Sequence, residues 1–402
     1  MGQRMSIRSR RELVRVTHER YQKAKVADKR LILNEFVAAS GYHRKYAIEV
    51  LLHPPRLKPR AAKRKRRCQY GIMVRQALVS LWKTGNCICS KRLVALLPEL
   101  VAALERHGEC NLEGQTRELL LSMSAATMDR LLRSERRFMQ PHGKSTTKPG
   151  TLLRRQIPVR TFAEWNEKKP GFAEIDLVAH CDDDSGGEFL HSLVLTDVHT
   201  GWCEYTSLAN KGQFCTVEGI DNLRQILPFR LLGVDSDNGS EFINHHLLAY
   251  CTKHELTFTR CRPYRKNDQC HVEQKNWSII RRTVGYDRYE GAAACKALAE
   301  LYQVLRLYQN FFQPCMKLIS KERQSTSRGE RTMKRYDTPK TPYRRVLESG
   351  ILTEEAAELL KMQYEQLNPK ALLTEVQRLQ RKLWEKAAIR TSGQRERQAE
   401  QP

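Results

Sequence analysis

Near the N-terminus, apolar residues recur at helical spacing over Leu13 to Lys23 and again over Lys29 to Ala39, where Ile32 and Phe36 share a face. Ser40-Gly41 interrupts the second run. Tyr42-His43-Arg44-Lys45-Tyr46-Ala47 then opens a helix that ends near Leu52, ahead of Pro54-Pro55. Helix, short glycine turn and basic second helix predict a helix-turn-helix unit over 1–55. A second helical block is predicted over 71–140. In it Ser90 is placed to cap Lys91 to Leu97. Leu119-Leu120-Leu121, the break Ser122-Met123-Ser124 and the run Ala125 to Arg133 repeat the helix-turn-helix pattern. Residues 141–165 are rich in Pro, Gly, Ser, Thr and charge, and read as a linker.

Beyond 166 the period changes. Strands are predicted over Phe172 to Val178, Phe189 to Val198 and Trp202 to Ser207, with turns at Asp182 to Gly187 and His199-Thr200-Gly201. A helix over Val217 to Leu227, a strand over Arg230 to Val234, a helix over Phe242 to His254, a strand over Leu256 to Arg260 and a helix over Gln269 to Arg282 follow. That order predicts an α/β unit over 166–286 with a mixed five-stranded sheet, as in the ribonuclease-H-like fold. Leu298 to Phe312 reads as an amphipathic helix. Residues 317–345 hold ten Lys or Arg against three acids, so 287–346 is expected to be a basic, DNA-contacting region. A helical tail over 347–402 carries Leu372, Leu373, Val376, Leu379 and Leu383. The expected class is multidomain: all-α helix-turn-helix units, a central α/β core, and a basic C-terminal region with helices.

Charge changes what this architecture is for. The 402 residues carry a formal net charge of +25, with 40% hydrophobic content, so packed cores and a polyanionic partner are both implied. Eight Lys or Arg with no acid fill 56–67, within a basic linker over 56–70 that suits contact with phosphates. No apolar run reaches the length of a membrane span, and MGQRMSIRSRREL lacks the apolar core of a signal peptide. The chain is therefore expected to stay in the cytoplasm where it is made. The cysteines are scattered, Cys87 and Cys89 being the close pair, and are expected to be reduced. A zinc site is only weakly signalled by that spacing.

Three acids stand where such a fold would bring them together. Asp176 lies in the first strand, in Glu174-Ile175-Asp176-Leu177. Asp237 follows the fourth, in Asp237-Asn238-Gly239-Ser240-Glu241-Phe242. Glu273 lies on the last helix of the core, in His271-Val272-Glu273-Gln274-Lys275-Asn276, with 35 residues between it and Asp237. This motif, its spacing and the loop Pro263 to Gln269 resemble the catalytic core of retroviral integrases and of bacterial insertion-sequence transposases. The resemblance spans roughly 160–345. It implies metal-dependent cleavage and joining of DNA at the ends of a mobile element. Asp176 would bridge two Mg²⁺ ions (Mn²⁺ substituting), with Asp237 on one and Glu273 on the other. Carboxylates are the right ligands for such hard cations. It also implies DNA partners, both terminal repeats and target, and a homo-oligomer assembled on DNA.

Asp235, at the strand end, competes with Asp237 for the middle place; the Asn-Gly context and the spacing favour Asp237. Asp182 to Asp184 read as turn residues, Glu174 and Glu241 as surface or packing residues, and His271 as a structural neighbour. Candidate DNA contacts are His43, Arg44 and Lys45 on the first basic helix, Arg64, Lys65, Arg66 and Arg67 in the linker, and Lys275 beyond the third acid, with Asn267 and Asn276 beside it. The His-His-Cys-Cys zinc cluster of retroviral integrases is missing, and helix-turn-helix units stand in its place. Two other readings stay open: a DNA-binding regulator without chemistry, and a nuclease of the same fold that cleaves and never joins.

Overall fold

A computed structural model describes residues 5–54, 69–136, 169–182, 186–262, 269–326 and 329–388. Arg64, Lys65, Arg66, Arg67, Asn267, the linker 141–165 and most of the loop ahead of the Glu273 helix lie outside the described residues. The chain forms two compact units, 1–69 and 70–402.

The first unit is three helices, α1 (Ile7–Lys23), α2 (Val26–Ser40) and α3 (Arg44–Leu52). Ile32, Leu33 and Phe36 of α2 meet Val14 of α1 and Ala47, Val50 and Leu51 of α3 in one small core. Gly41 ends α2 in the left-handed region, at φ 66°, and returns its N–H to the Val37 carbonyl. That turn is what the Ser40-Gly41 break predicts.

The second unit opens with α4 (Ile72–Thr84), α5 (Ser90–Arg106), α6 (Gly114–Leu121), α7 (Ala125–Leu131) and α8 (Arg133–Arg136). Leu78, Trp82, Leu93, Leu97, Leu100 and Met128 form their core. Ser124 caps α7, accepting from the Thr127 N–H. Ser90 does not cap α5 as expected. Cys89 holds that position, while Ser90 is the first helical residue and its buried hydroxyl accepts from Arg136. The helix also runs on past Leu97 through Pro98, because Leu100, Val101 and Leu104 beyond it are buried and offset the lost backbone bond.

The sheet contains β1 (Phe172–Ala179), β2 (His191–Asp197), β3 (Cys203–Leu208), β4 (Gly233–Ser236) and β5 (Thr257–Arg260), in the order β3-β2-β1-β4-β5. The first three strands are antiparallel; β4 and β5 run parallel to β1. On one face α9 (Gln213–Gln225) and α10 (His245–Lys253) pack on Ile175, Leu193, Leu195 and Val234. On the other lie α11 (Cys270–Lys275), a π-helical turn (Asn276–Arg281) and α12 (Gly291–Phe312), against Val178 and Val194. This strand order, with helices on both faces, is the ribonuclease-H-like fold of an integrase core.

Tyr308 of α12 donates to the Thr84 carbonyl at 2.6 Å, and Ala103 of α5 shares a core with Trp202, Phe311 and Phe312. The second helical block is thus seated on the sheet unit. The basic stretch after α12 is a two-stranded antiparallel hairpin, β6 (Leu318–Thr326) and β7 (Gly329–Tyr336). Then come α13 (Pro342–Glu348), α14 (Glu354–Gln366) and α15 (Pro369–Trp384), with Val376, Leu379 and Leu383 of α15 covering α12. The described cysteines are all free thiols, and no described helix is long and apolar enough to cross a membrane.

Candidate active site

Side chains alternate across a strand, so β1 sorts its residues by parity. Ala173 and Ile175 enter the core under α9 and α10, while Glu174, Asp176 and Val178 turn towards α11 and α12. The parallel register pairs Ile175 with Ser236, the last residue of β4. Asp176 therefore stands beside the point where the chain leaves β4 into Asp237. Two carboxylates meet at the carboxyl ends of neighbouring parallel strands, which is where open α/β sheets place their ligands.

The Asp237-Asn238-Gly239 turn has a physical reason at each residue. Asp237 Oδ1 accepts from the Gly239 N–H at 2.8 Å. Asn238 is buried, donating to the Cys261 carbonyl at 2.9 Å and accepting from Arg260 at 3.0 Å, and so pins the turn to the end of β5. A Cβ on Gly239 would stand 2.7 Å from Glu241 Oε1 and 2.9 Å from Asp237 Oδ1, so a side chain there would push both carboxylates aside.

The helix carrying Glu273 is tied to the strands at three points. Glu174, fully buried, accepts from the Val272 N–H at 2.8 Å and from the His271 N–H. Gln269 donates to the Asp235 carbonyl at 3.3 Å. The π-helical turn brings Asn276 round so that its amide donates to Asp176 Oδ2 at 2.6 Å. Helices wind this way mostly in single turns, often at functional sites.

Electrostatics ties the acids together. Burial, then the charge of Asp237, then those of Glu273 and Glu241, raise the Asp176 carboxyl to about 8, against the pull of the Leu177 N–H. Burial and the Glu241 charge raise Asp237 to about 6, while the Gly239 N–H opposes. Burial is the largest cause at both positions, and the two carboxyls titrate as a pair. Glu174 is raised well above the usual carboxylate range by burial, with Asp235 and Glu273 adding to it.

Asp235 is fully buried, accepts from the Thr259 hydroxyl at 2.5 Å and sits in register with Glu174, inside the sheet rather than at its edge. Glu241 and Glu174, read from the sequence as surface or packing residues, are respectively a fourth acid of this cluster and the cap of α11. Burial and the charges of Lys317 and Lys275 lower His271 to about 4, which leaves it neutral at pH 7.

The donor set is all carboxylate oxygen, and mutual repulsion among like charges is what a divalent cation relieves. That chemistry fits magnesium. Among the described residues, however, no three His, Cys, Asp or Glu side chains stand close enough to enclose an ion.

The candidate DNA contacts separate. His43, Arg44 and Lys45 are exposed at the start of α3, where Arg44 also bonds Asn34. Lys275 is 8% exposed and turned into the molecule, so it does not sit on the outer surface of its helix. A site not anticipated is a cavity of about 310 Å³ lined by Arg75 of α4, Arg130 of α7, Arg133 and Ser134 of α8, and Leu131. No carboxylate lines it.

No family model matches the chain. Over 345 residues it is 46% identical to the "Uncharacterized protein y4rM" of Sinorhizobium fredii (strain NBRC 101917 / NGR234), covering 86% of this chain and 97% of that one. Among solved structures it is similar to the catalytic core domain of BIV integrase, 17% identical with a TM-score of 0.28 over 44% of this chain and 95% of that one. It is also similar to a chain of the simian T-cell lymphotropic virus intasome in complex with PP2A regulatory subunit B56 gamma, 16% identical with a TM-score of 0.27 over 46% and 59%. Such loose overlays carry no weight beside the strand order itself. The chain belongs to the same family as y4rM.

Proposed function

We propose that this member of the family is a DNA transposase that cleaves and joins strands at the ends of a mobile element, with Asp176, Asp237 and Glu273 as its catalytic acids. The observation that carries this reading is the parallel register that brings Asp176 and Asp237 to the ends of neighbouring strands, with the Glu273 charge acting on Asp176. Asp176, Asp237 and Glu273 would hold the two magnesium or manganese ions, and Glu241 adds negative charge beside them. When bound, those ions supply activation of the attacking hydroxyl and stabilisation of the leaving oxygen.

The protein's own part is positioning. Asn276 and the Leu177 N–H fix the direction of the Asp176 carboxylate, one through each oxygen. Asn238 and Gly239 fix the Asp237 turn, and Glu174 fixes the helix that carries Glu273. No covalent enzyme intermediate is needed: water frees a 3′-hydroxyl, which then attacks the target phosphodiester. The exposed His43-Arg44-Lys45 face and the cavity of Arg75, Arg130 and Arg133 supply cationic surface for phosphates. A homo-oligomer on DNA would present two ends together.

The test is joining of oligonucleotide duplexes carrying the flanking terminal repeats, with Mg²⁺ or Mn²⁺. The expected result is 3′-end joining that disappears in Asp237→Asn while duplex binding persists. Joining that survives Asp237→Asn rejects the assignment. Binding without chemistry for the unaltered chain would leave a DNA-binding regulator, and cleavage without joining a nuclease.

A further inference from the structure

The helix that carries Glu273 displays a tryptophan to solvent. Trp277 is 63% exposed, whereas Trp82 and Trp202 are each 2% exposed. Large aromatic side chains in ordered helices normally go inwards, as Val272, Ile279 and Ile280 of the same segment do. The π-helical turn from Asn276 separates two adjacent residues. Asn276 reaches in to Asp176 at 2.6 Å; Trp277 is left facing out. Trp277 stands one turn beyond Glu273, so its ring flanks the acids.

Its surroundings limit what it can receive. The residues one turn before it, Glu273 and Gln274, are exposed and polar, whereas Arg281, one turn after, is turned in to the Ala179 carbonyl at 3.0 Å. This is a single flat ring in a polar, ionic setting, not an apolar patch of the kind that seats a protein helix. A ligand with a π-face and a polar rim fits such a ring, and the chain's charge of +25 favours a polyanion bearing it. Stacking on aromatic side chains is how unpaired bases are held without reading their sequence.

We infer that Trp277 stacks on an unpaired nucleobase at the end of the bound DNA strand and holds that end beside Asp176. The inference rests on the strand-joining reading of the acids, but its test does not use joining. The full chain, in EDTA, is mixed with a duplex carrying a short 3′ single-stranded extension that contains 2-aminopurine. Saturating protein should quench the probe about threefold. Trp277→Phe should keep most of that quenching and Trp277→Ala should lose it, while the affinity of both for a blunt duplex stays within about twofold of the unaltered chain.

Undiminished quenching in Trp277→Ala overturns the inference. So does an equal loss of blunt-duplex and extended-duplex binding in Trp277→Ala, which would mark Trp277 as structural. Failure of the joining assay with quenching intact would remove the transposase reading and leave the base-stacking site.

Discussion

Glu174 and Asp235 face each other across β1 and β4, and Asp176 and Asp237 follow one pleat further along the same two strands. The inner pair is fully buried. Each is held from within the protein: the Val272 and His271 N–H groups hold Glu174, and the Thr259 hydroxyl bonds Asp235. The outer pair is half-buried, lies where the strands end, and faces two further acids, Glu241 and Glu273. The difference between them is depth and place, since both pairs accept protein donors: Asn276 and the Leu177 N–H bond Asp176, and the Gly239 N–H bonds Asp237. A carboxylate enclosed within the sheet is architecture. A carboxylate at the strand ends, among like charges and partly open, is placed to take a cation.

The sharpest way to break that contrast is to neutralise one acid at a time. Asp176→Asn and Asp237→Asn should each lower joining by about a thousandfold or more, if each removes a metal ligand. Neither should reduce duplex binding, and neither should lower thermal stability, because each removes one of several repelling charges. Asp235→Asn, which can still accept from Thr259, should cost less than about tenfold. Initial rates of joining, measured beside melting curves, decide it. Equal losses at positions 235 and 237 would erase the distinction between inner and outer pairs.

The inner pair has its own prediction, in stability. Glu174→Ala leaves the Val272 and His271 N–H groups buried without an acceptor and should cost about 3 kcal/mol. Glu174→Gln keeps an acceptor of the same shape and should stay within about 1 kcal/mol of the parent. Chemical denaturation of the two variants separates a cap that needs only an oxygen from one that needs a charge. If the alanine form is as stable as the glutamine form, Glu174 is not what holds α11.

A smaller effect is expected at Gly239. Gly239→Ala puts a methyl against the carboxylates of Asp237 and Glu241. Both are ends of side chains that can shift, so joining should fall by about tenfold while stability changes little. A loss of stability with joining intact would mean that the turn, and not the acids, takes the strain.

Much of this was legible in the residues. The five strands follow from short apolar runs broken by Asp, Gly and Thr turns, and Asp176, Asp237 and Glu273 stand out by spacing; β2 and β4 are buried on both faces and show no alternation. Boundaries slipped by a few residues, as at β2, which begins at His191 and not at Phe189 because Phe189 stacks on the His191 ring outside the ladder. The β6–β7 hairpin was not legible: KERQST and GERTMKRY show no alternation of apolar and polar residues. Glu174 and Glu241 were read as surface or packing residues and Asn276 as a DNA contact, because their surroundings depend on contacts 98 and 100 residues apart in sequence for Glu174 and Asn276, and on charge proximity for Glu241. One signal was available. Glu174 lies two residues before Asp176, on the same face of a strand, where a second acid has no reason to be unless something above it donates.

Asp176 and Asp237 also titrate in the opposite sense to the histidines behind them, which gives the mildest prediction. His180, just beyond β1 on the same face as Asp176, is buried and bonded to Ser192 at 2.6 Å. Burial, with Arg281 and His191 adding, lowers it to about 3; burial and Lys211 lower His191 to about 4. Both stay neutral when folded but take up protons near pH 6.5 in the unfolded chain. Their contribution is complete above about pH 6.5 and is lost as pH falls through the folded values, because the unfolded chain then binds more protons. Asp176 and Asp237 work the other way: raised to about 8 and about 6, they keep protons that the unfolded chain has released, so they favour the folded state less as pH rises from about 4 to 8. His180→Gln retains a partner for Ser192 and removes one titration. Its melting temperature should fall by about 2–4 °C less than that of the parent between pH 7 and pH 5. Parallel melting curves across that range would show that His180 is not a source of the acid sensitivity.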